Sequence, residues 1–467
     1  MNIAFNECIV TGSPAADGDK YGQLVGNSFI RTSDENVSTF SIDADGASYA
    51  NAKAYILDGR LPYTYAIRVE EFLNYFTFDY PAPEAGNTVA INTETAACPW
   101  EAGHTLLRLG IKGMDLAANE IPKANFVFLV DVSGSMSSPD KIGLLKDGLC
   151  TMLDYLNPED RISLITYSGE VEKLLESTPA KEARKIKNAI KKLDAGGSTA
   201  GGAALDMAYK EAMANYIEGG NNRIIMGTDG DFNVGVSSTD ALTEMVESYA
   251  KKGIYLTVCG FGHGNLNDEM MESISNHGNG TYEFIGSEDD LTKVFVNERS
   301  KFVSVANDVK IQVTFDPEMV ESYRLIGYEN RLLDKEDFTD DKKDAGEIGA
   351  GQTITALYEL ILKDGAATGS KLGSFDLRYK KALGGGSIPL QAGMKLADAN
   401  ARLSENMSFA AGTAMFAMLL RESEYCADGS YAKAQELVNA SLGFDPFGYR
   451  KQLVKVIEKA MELAEKK

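Results

Sequence analysis

At 467 residues the chain exceeds what a single ordinary core organises, so two or three domains are expected. Its 44% apolar and 24% charged content is that of a folded soluble protein, and its formal net charge of -22 argues against nucleic acid, whose phosphates it would repel. The charge suits a secreted or envelope protein as well as an ordinary soluble one.

Residues 11–36 are rich in Gly, Ser, Asp and Asn with few apolar residues, so residues 1–36 read as a flexible lead-in. No charged-then-apolar leader opens the chain, and no apolar run reaches the roughly 18 residues of a membrane span. Val37 to Ile42 alternates like a short strand and runs into Asp43-Ala44-Asp45-Gly46. These paired aspartates suit a calcium loop, but the distal bidentate acid of an EF-hand is missing, and capping of the next helix, Ser48 to Leu57, is the better account. Ala66 to Phe76 has apolar residues three and four apart, as an amphipathic helix does, and Tyr80-Pro81-Ala82-Pro83 ends it. Strands are expected at Thr88 to Thr95 and His104 to Ile111, with Trp100 between them as a packing anchor and His104 as an exposed or satisfied histidine. Residues 37–120 thus read as amino-terminal helices plus the first strands of a β-sandwich.

From 121 to 303 apolar strands alternate with helical stretches. The strands are Phe126 to Val130, Ile162 to Tyr167, Ile224 to Met226 and Ile254 to Val258, with helices around Lys141 to Leu156, Ala183 to Leu193, Ala203 to Tyr216 and Ala241 to Lys251. Such β/α alternation implies a Rossmann-like, doubly wound, mainly parallel sheet, whose ligands sit beyond the carboxyl ends of strands where the strand order reverses. Leu291 to Val296 begins the last helix of this unit. Residues 304–392 change to strands without helices between them, at Asp308 to Phe315, Ser322 to Tyr328, Gln352 to Leu362 and Gly373 to Tyr379. The predicted fold class is therefore α/β, with the doubly wound unit inserted into one antiparallel β-sandwich. Residues 393–467 form a helical region, with an amphipathic stretch from Asp398 to Glu424 and helices at about Tyr431 to Ser441 and Pro446 to Lys466.

Five cysteines, at 8, 98, 150, 259 and 426, show no metal-ligand spacing. Cys150 and Cys259 read as buried thiols, and only Cys8 and Cys98 are candidates for a bridge.

The most informative stretch is Asp131-Val132-Ser133-Gly134-Ser135, which follows the apolar run Asn125 to Val130. A carboxylate and two hydroxyls on alternate residues of a loop that ends a buried strand point hard oxygens at one spot, and such donors suit Mg²⁺. Asp-x-Ser-x-Ser alone is equally a helix cap. Two further segments tip the balance: Gly196-Gly197-Ser198-Thr199 offers a hydroxyl at the mouth of a helix, and Ile224 to Asp229 is a second apolar strand ending in acid. Together Asp131, Ser133, Ser135, Thr199 and Asp229 resemble, position for position, the metal-ion-dependent adhesion site of the von Willebrand factor type A family.

Asp231 is read as orienting its loop rather than touching metal, and Asp140 as a helix N-cap rather than a ligand to a second cation. Beyond this unit, Phe40 to Tyr49, Arg68 to Phe76, Tyr323 to Arg331, Asp344 to Gly351 and Met418 to Tyr425 resemble the flanking regions of bacterial lipoproteins of the same family. The family's lipobox cysteine and signal peptide are not found in this sequence.

That resemblance implies one divalent cation, Mg²⁺ or else Mn²⁺ or Ca²⁺, held by the five side chains with a coordination position left for an acidic residue of a partner protein. It further implies an extracytoplasmic chain of the cell envelope or cell surface, tethered by an amino-terminal lipid. A protein-binding adhesion or assembly module, monomeric in itself, is the leading reading. A chaperone-like or scaffold factor is the alternative. A metal-dependent hydrolase is disfavoured, because His263 and His277 sit in Gly-rich or polar loops without nucleophile partners and no Gly-x-Ser-x-Gly or P-loop spacing occurs.

Overall fold

The computed structural model describes residues 18–117, 119–197, 201–230, 239–341, 343, 345–382, 385–426 and 428–466. A six-stranded sheet lies at the centre of the α/β unit, in the order Tyr282–Ile285, Ile254–Phe261, Asn221–Thr228, Ala124–Asp131, Arg161–Tyr167, Val171–Pro179. The first five run parallel and the last is antiparallel. Successive side chains of a strand point to opposite faces, and Ala124–Asp131 is apolar on both. Phe126, Phe128 and Val130 join a core with Leu145, Leu149, Ile186 and Ile190, while Val127 and Leu129 join another with Leu205, Tyr209 and Val246. Helices Leu144–Leu153 and Ala183–Lys191 therefore cover one face, and Gly201–Ala214, Thr239–Ala250 and Asp268–His277 the other. His277, expected in a polar loop, closes the last of these helices, whose buried face is carried by Met270, Met271 and Ile274. The edge strand Val171–Pro179 escapes the sequence pattern because most of its side chains are exposed or half-buried.

Two antiparallel sheets flank this unit. One has the order Ile30–Arg31, Val320–Ile326, Thr353–Leu362, Thr105–Gly113, Val89–Ala97; the other runs Ile348–Gly349, Ser304–Phe315, Lys371–Lys380, Ile388–Lys395, with Val37–Ser41 also paired to Ser304–Phe315. Alternate residues turn inward to a shared core, among them Leu107, Leu109 and Ile111 from the first sheet and Ile311, Val313 and Phe315 from the second. Each sheet combines strands from before and after the α/β unit, which is how the chain inserts one unit into the other. Helix Glu405–Leu420 was expected to be amphipathic; it is instead buried almost all round, from Met407 to Leu420, beneath helices Tyr431–Asn439, Tyr449–Ala464 and the amino-terminal Val69–Asn74. Ser404 caps it, accepting the Met407 N–H at 3.0 Å.

The amino-terminal helix corrects a second expectation. Its N-cap is Gly46, with no side-chain cap, and the Ser48 N–H donates to Glu71 at 2.7 Å. Asp43 accepts only the nearby Asp45 N–H, at 2.9 Å, within this turn, so neither aspartate caps the helix.

Residues 18–36 are not a loose lead-in. The Lys20 N–H donates to the Leu266 carbonyl at 2.7 Å and the Lys20 carbonyl accepts from Asp268 at 3.0 Å. The fully buried Asp19 accepts the N–H groups of Gly264 and Leu266, each at 2.8 Å, and the Tyr55 hydroxyl at 2.7 Å. Polar residues that satisfy loop N–H groups anchor a segment that lacks the apolar pattern of a strand. Burial pushes the Asp19 carboxyl up, but hydrogen bonds from His263, Tyr55 and Leu266 outweigh it and hold the group below the usual carboxylate value. A carboxyl whose folded pKa is depressed stabilises above its unfolded value, about 3.9, and loses that contribution as pH falls through the folded value. Asp19→Ala is thus expected to cost about 2–4 kcal/mol of local protection and to speed tryptic cleavage after Lys20. In the wild type the same protection is expected to hold at neutral pH and fade below about pH 4, as read by hydrogen exchange. Equal cleavage rates in the two chains would contradict this anchoring role.

Candidate metal centre

The strand order reverses at Ala124–Asp131: the chain leaves it for Arg161–Tyr167 on one side and later returns to Asn221–Thr228 on the other. Asp131 ends the first of these strands and Asp229 directly follows the third; both are 0% exposed. Asp131 organises its own loop, accepting the Ser133 N–H at 2.8 Å on one oxygen and the Thr228 hydroxyl at 3.1 Å on the other. Thr228 in turn accepts the Gly230 N–H at 3.1 Å, so the ends of adjacent strands are stitched together. The Ser133 and Ser135 hydroxyls stand 2.9 Å apart.

A second loop closes over the first. The Gly134 N–H donates to the Gly197 carbonyl at 3.1 Å, and the Gly196 N–H to the Val132 carbonyl at 2.7 Å. Thr199, at the far end of that loop, lies outside the described residues, as does Asp231. Asp140 is not an N-cap: it is exposed in the first turn after Ser138, where a negative charge suits the amino end of a helix.

Lys141, Asn265 and Thr228 join the site without any warning in the motif. The Lys141 ammonium is 3.0 Å from Asp229 and 2.9 Å from the Asn265 side-chain oxygen. Lys141 reads from sequence as the start of a helix, and only the fold sets it beside a strand end.

The donors present fit a hard divalent cation. Burial, with Asp229 adding to it and the Ser133 hydrogen bonds opposing, pushes the Asp131 carboxyl up to about 6, so the site without a cation holds negative charge at a cost. Asp131, Ser133, Ser135 and Asp229 would hold the ion, which would supply an electrophile for an incoming oxygen ligand. Gly230 makes this loop possible at φ +91°, and a Cβ there would stand 2.2 Å from the Asn267 nitrogen. Gly230→Ala is therefore expected to shift Asp229 and weaken Mg²⁺ binding by about tenfold or more, some 1.4 kcal/mol, as read by calorimetry.

The other titratable groups that sequence alone raises as catalytic candidates are engaged elsewhere. His104 pairs with Glu359 at 2.5 Å, His263 with Asp19 at 3.3 Å, and His277 with the Ser273 carbonyl at 2.7 Å. Cys98, Cys150, Cys259 and Cys426 are free thiols, and Cys8, the bridge partner considered for Cys98, lies outside the described residues. No helix among the described residues is long and apolar enough to cross a membrane.

Residues 125–297 match the family model of the von Willebrand factor type A domain, and residues 15–108 a model described as von Willebrand factor. Residues 300–463 match a third model, that of the carboxyl-terminal part of uncharacterized protein YfbK. YfbK of Escherichia coli (strain K12) is itself 36% identical over 466 residues, covering 94% of this chain and 81% of its own. The chain belongs to the YfbK family of von Willebrand factor type A proteins. Within the family fold, the α/β unit is the type A domain, a class of domain that serves protein–protein interaction and commonly binds a divalent metal. Human inter-alpha-trypsin inhibitor heavy chain H3 is 31% identical over 184 residues, 37% of this chain and 20% of its own length, so the likeness spans about a fifth of that protein. Among solved structures, a von Willebrand factor type A protein from Catenulispora acidiphila covers 80% of this chain and 90% of its own, with a TM-score of 0.48 and 15% identity.

Proposed function

We propose that this YfbK relative is a divalent-cation-dependent protein-binding module whose metal site takes an Asp or Glu of a partner protein. The observation that carries the reading is the pair of fully buried carboxylates, Asp131 and Asp229, at the strand-order reversal, beside two serine hydroxyls 2.9 Å apart. Mg²⁺ held by few direct carboxylates stays electrophilic, so a partner carboxylate binds it strongly. Mn²⁺ or Ca²⁺ would serve the same chemistry, and Thr199 completes the proposed ligand set. The resemblance to envelope lipoproteins extends the proposal to an extracytoplasmic location.

Peptide display on the immobilised chain tests it. Sequences selected in Mg²⁺ are expected to share an Asp or Glu, to elute with chelator, and to lose binding when that residue becomes Asn or Gln. Ser133→Ala/Ser135→Ala protein should retain none of them. Peptides that bind equally in chelator, or to the double variant, would defeat the reading.

A further inference from the structure

A second cluster of acids lies away from the strand ends. One oxygen from each of Asp43, Glu71 and Glu272 falls within 4.8 Å of the others, and all three residues are buried. They come from three separate parts of the chain: the turn before the first helix, the helix Val69–Asn74, and the type A helix Asp268–His277. Asp45, 2% exposed, lies beside this group: its Oδ2 stands 4.0 Å from the Arg331 guanidinium that also pairs with Asp43 and Glu272.

The basic residues at this junction leave the charge unbalanced. Arg331 donates to Asp43 at 3.0 Å and to Glu272 at 3.2 Å, and Arg68 pairs with Glu71 and with both oxygens of Asp268. Two guanidinium groups thus face five carboxylates, those of Asp43, Asp45, Glu71, Asp268 and Glu272. Two carboxylate oxygens, Asp45 Oδ2 and Glu272 Oε2, are buried with no hydrogen-bond partner among the described residues, and the Arg331 guanidinium stands 4.0 Å from the first. An unpaired buried carboxylate is among the costliest groups a fold can hold. The paired aspartates do not serve the helix as caps: within the turn Asp43 accepts only the Asp45 N–H.

We propose that Asp43, Asp45, Glu71 and Glu272 form a second, structural cation site that takes Ca²⁺. Oxygens on opposite sides of a Ca²⁺ ion, each about 2.3–2.6 Å from it, lie about 5 Å apart, and one oxygen from each of Asp43, Glu71 and Glu272 falls inside that span, within 4.8 Å of the others. Calcium accepts six to eight oxygens in flexible geometry, whereas Mg²⁺ demands a near-ideal octahedron and keeps water, so four carboxylates drawn from one turn and two helices favour the larger ion. The cluster borders solvent on its Asp45 side, where Asp45, Arg331 and Asn276 line an open groove of about 580 Å³. Both oxygens of Asp43 and of Glu71 already accept hydrogen bonds, from Asp45 and Arg331 and from Arg68 and Ser48, so the ion shares these oxygens with their donors and draws on Glu272 Oε2 and Asp45 Oδ2 directly. The bound ion clamps the amino-terminal turn and helix to the type A domain, with Arg331 carrying the contact into the segment that follows the sandwich strand Val320–Ile326.

Calorimetric titration of Ca²⁺ into chelator-stripped full-length chains tests this independently of the strand-end site. The Asp131→Ala chain is expected to bind one Ca²⁺ and to melt at a higher temperature with it. Adding Asp45→Asn in that background should weaken this binding at least tenfold, and Glu272→Gln should do the same. Both substitutions keep the side-chain shape and remove a buried charge, so the metal-free variants are expected to fold, as judged by circular dichroism. If Asp131→Ala itself fails to fold, Asp45→Asn alone should lower the wild-type stoichiometry by one. No calcium uptake by a folded Asp131→Ala chain, or uptake unchanged by Asp45→Asn and Glu272→Gln, would overturn the proposal.

Discussion

Asp131→Ala is expected to weaken Mg²⁺ binding by at least 100-fold, about 2.7 kcal/mol, in calorimetric titrations of the chelator-stripped protein. Two losses combine in that number. The first is charge: Asp131 is one of the two fully buried carboxylates at the strand-order reversal. The second is shape, because the same carboxylate accepts the Ser133 N–H and the Thr228 hydroxyl and so aims the loop that carries both serines. Asp131→Asn separates them, since the amide oxygen can still accept one of these hydrogen bonds while the charge is gone. If charge dominates, the Asn variant should bind as poorly as the Ala variant; if loop shape dominates, it should recover part of the affinity. Mn²⁺ should follow Mg²⁺ in both variants, as the donors are the same. Wild-type affinity in the Ala variant would remove the cation from the proposed function and leave the type A domain to bind partners by surface alone.

What could be read from the sequence follows from how local each feature is. The strand Ala124–Asp131 carries the apolar run Phe126 to Val130 and ends in Asp131, and Asn221–Thr228 carries a shorter run, Ile224 to Met226, just ahead of Asp229, so much of their burial and chemistry is written in neighbouring residues. The Asp-x-Ser-x-Ser loop is legible for the same reason. Lys141 is not, because its contact with Asp229 joins a helix start to a strand end far along the chain. Residues 18–36 look loose by composition, yet Asp19 and Lys20 are held by backbone groups of residues 264–268, and backbone partners leave no mark on side-chain pattern. The turn at Asp43 and Asp45 fails for a related reason. A carboxylate near a helix start is ordinarily a cap, and only the arrival of Glu71 at the Ser48 N–H shows that the position was already filled. Helix Glu405–Leu420 reads as amphipathic until helices from both ends of the chain are seen to cover it.

Glu359→Ala is expected to be the most damaging single change away from the metal centre, costing about 3–5 kcal/mol. Glu359 lies on the strand Thr353–Leu362 and is 2% exposed. Its Oε2 accepts Arg324 at 2.7 Å and the Trp100 indole N–H at 3.2 Å, while Oε1 meets His104 at 2.5 Å. The Arg324 guanidinium also lies 4.4 Å from the centre of the Tyr425 ring, so the carboxylate connects the sandwich strands Val320–Ile326 and Thr353–Leu362 and the loop of Trp100 and His104 to the segment that follows helix Glu405–Leu420. Removing it leaves Arg324, 4% exposed and with its Nε already lacking a partner among the described residues, as a buried cation without its carboxylate. Trp100 is the sole tryptophan and is fully buried, so tryptophan emission reports on the surroundings of this one position. The Ala variant should show red-shifted emission in buffer and a lower urea midpoint for the fluorescence transition. Glu359→Gln keeps an acceptor for either Arg324 or Trp100 and should recover part of the loss. Because the chain has more than one core, circular dichroism of the whole chain should shift less than the Trp100 signal. An unchanged midpoint in the Ala variant would mean that packing around Trp100, and not the carboxylate, holds the sandwich to the helices.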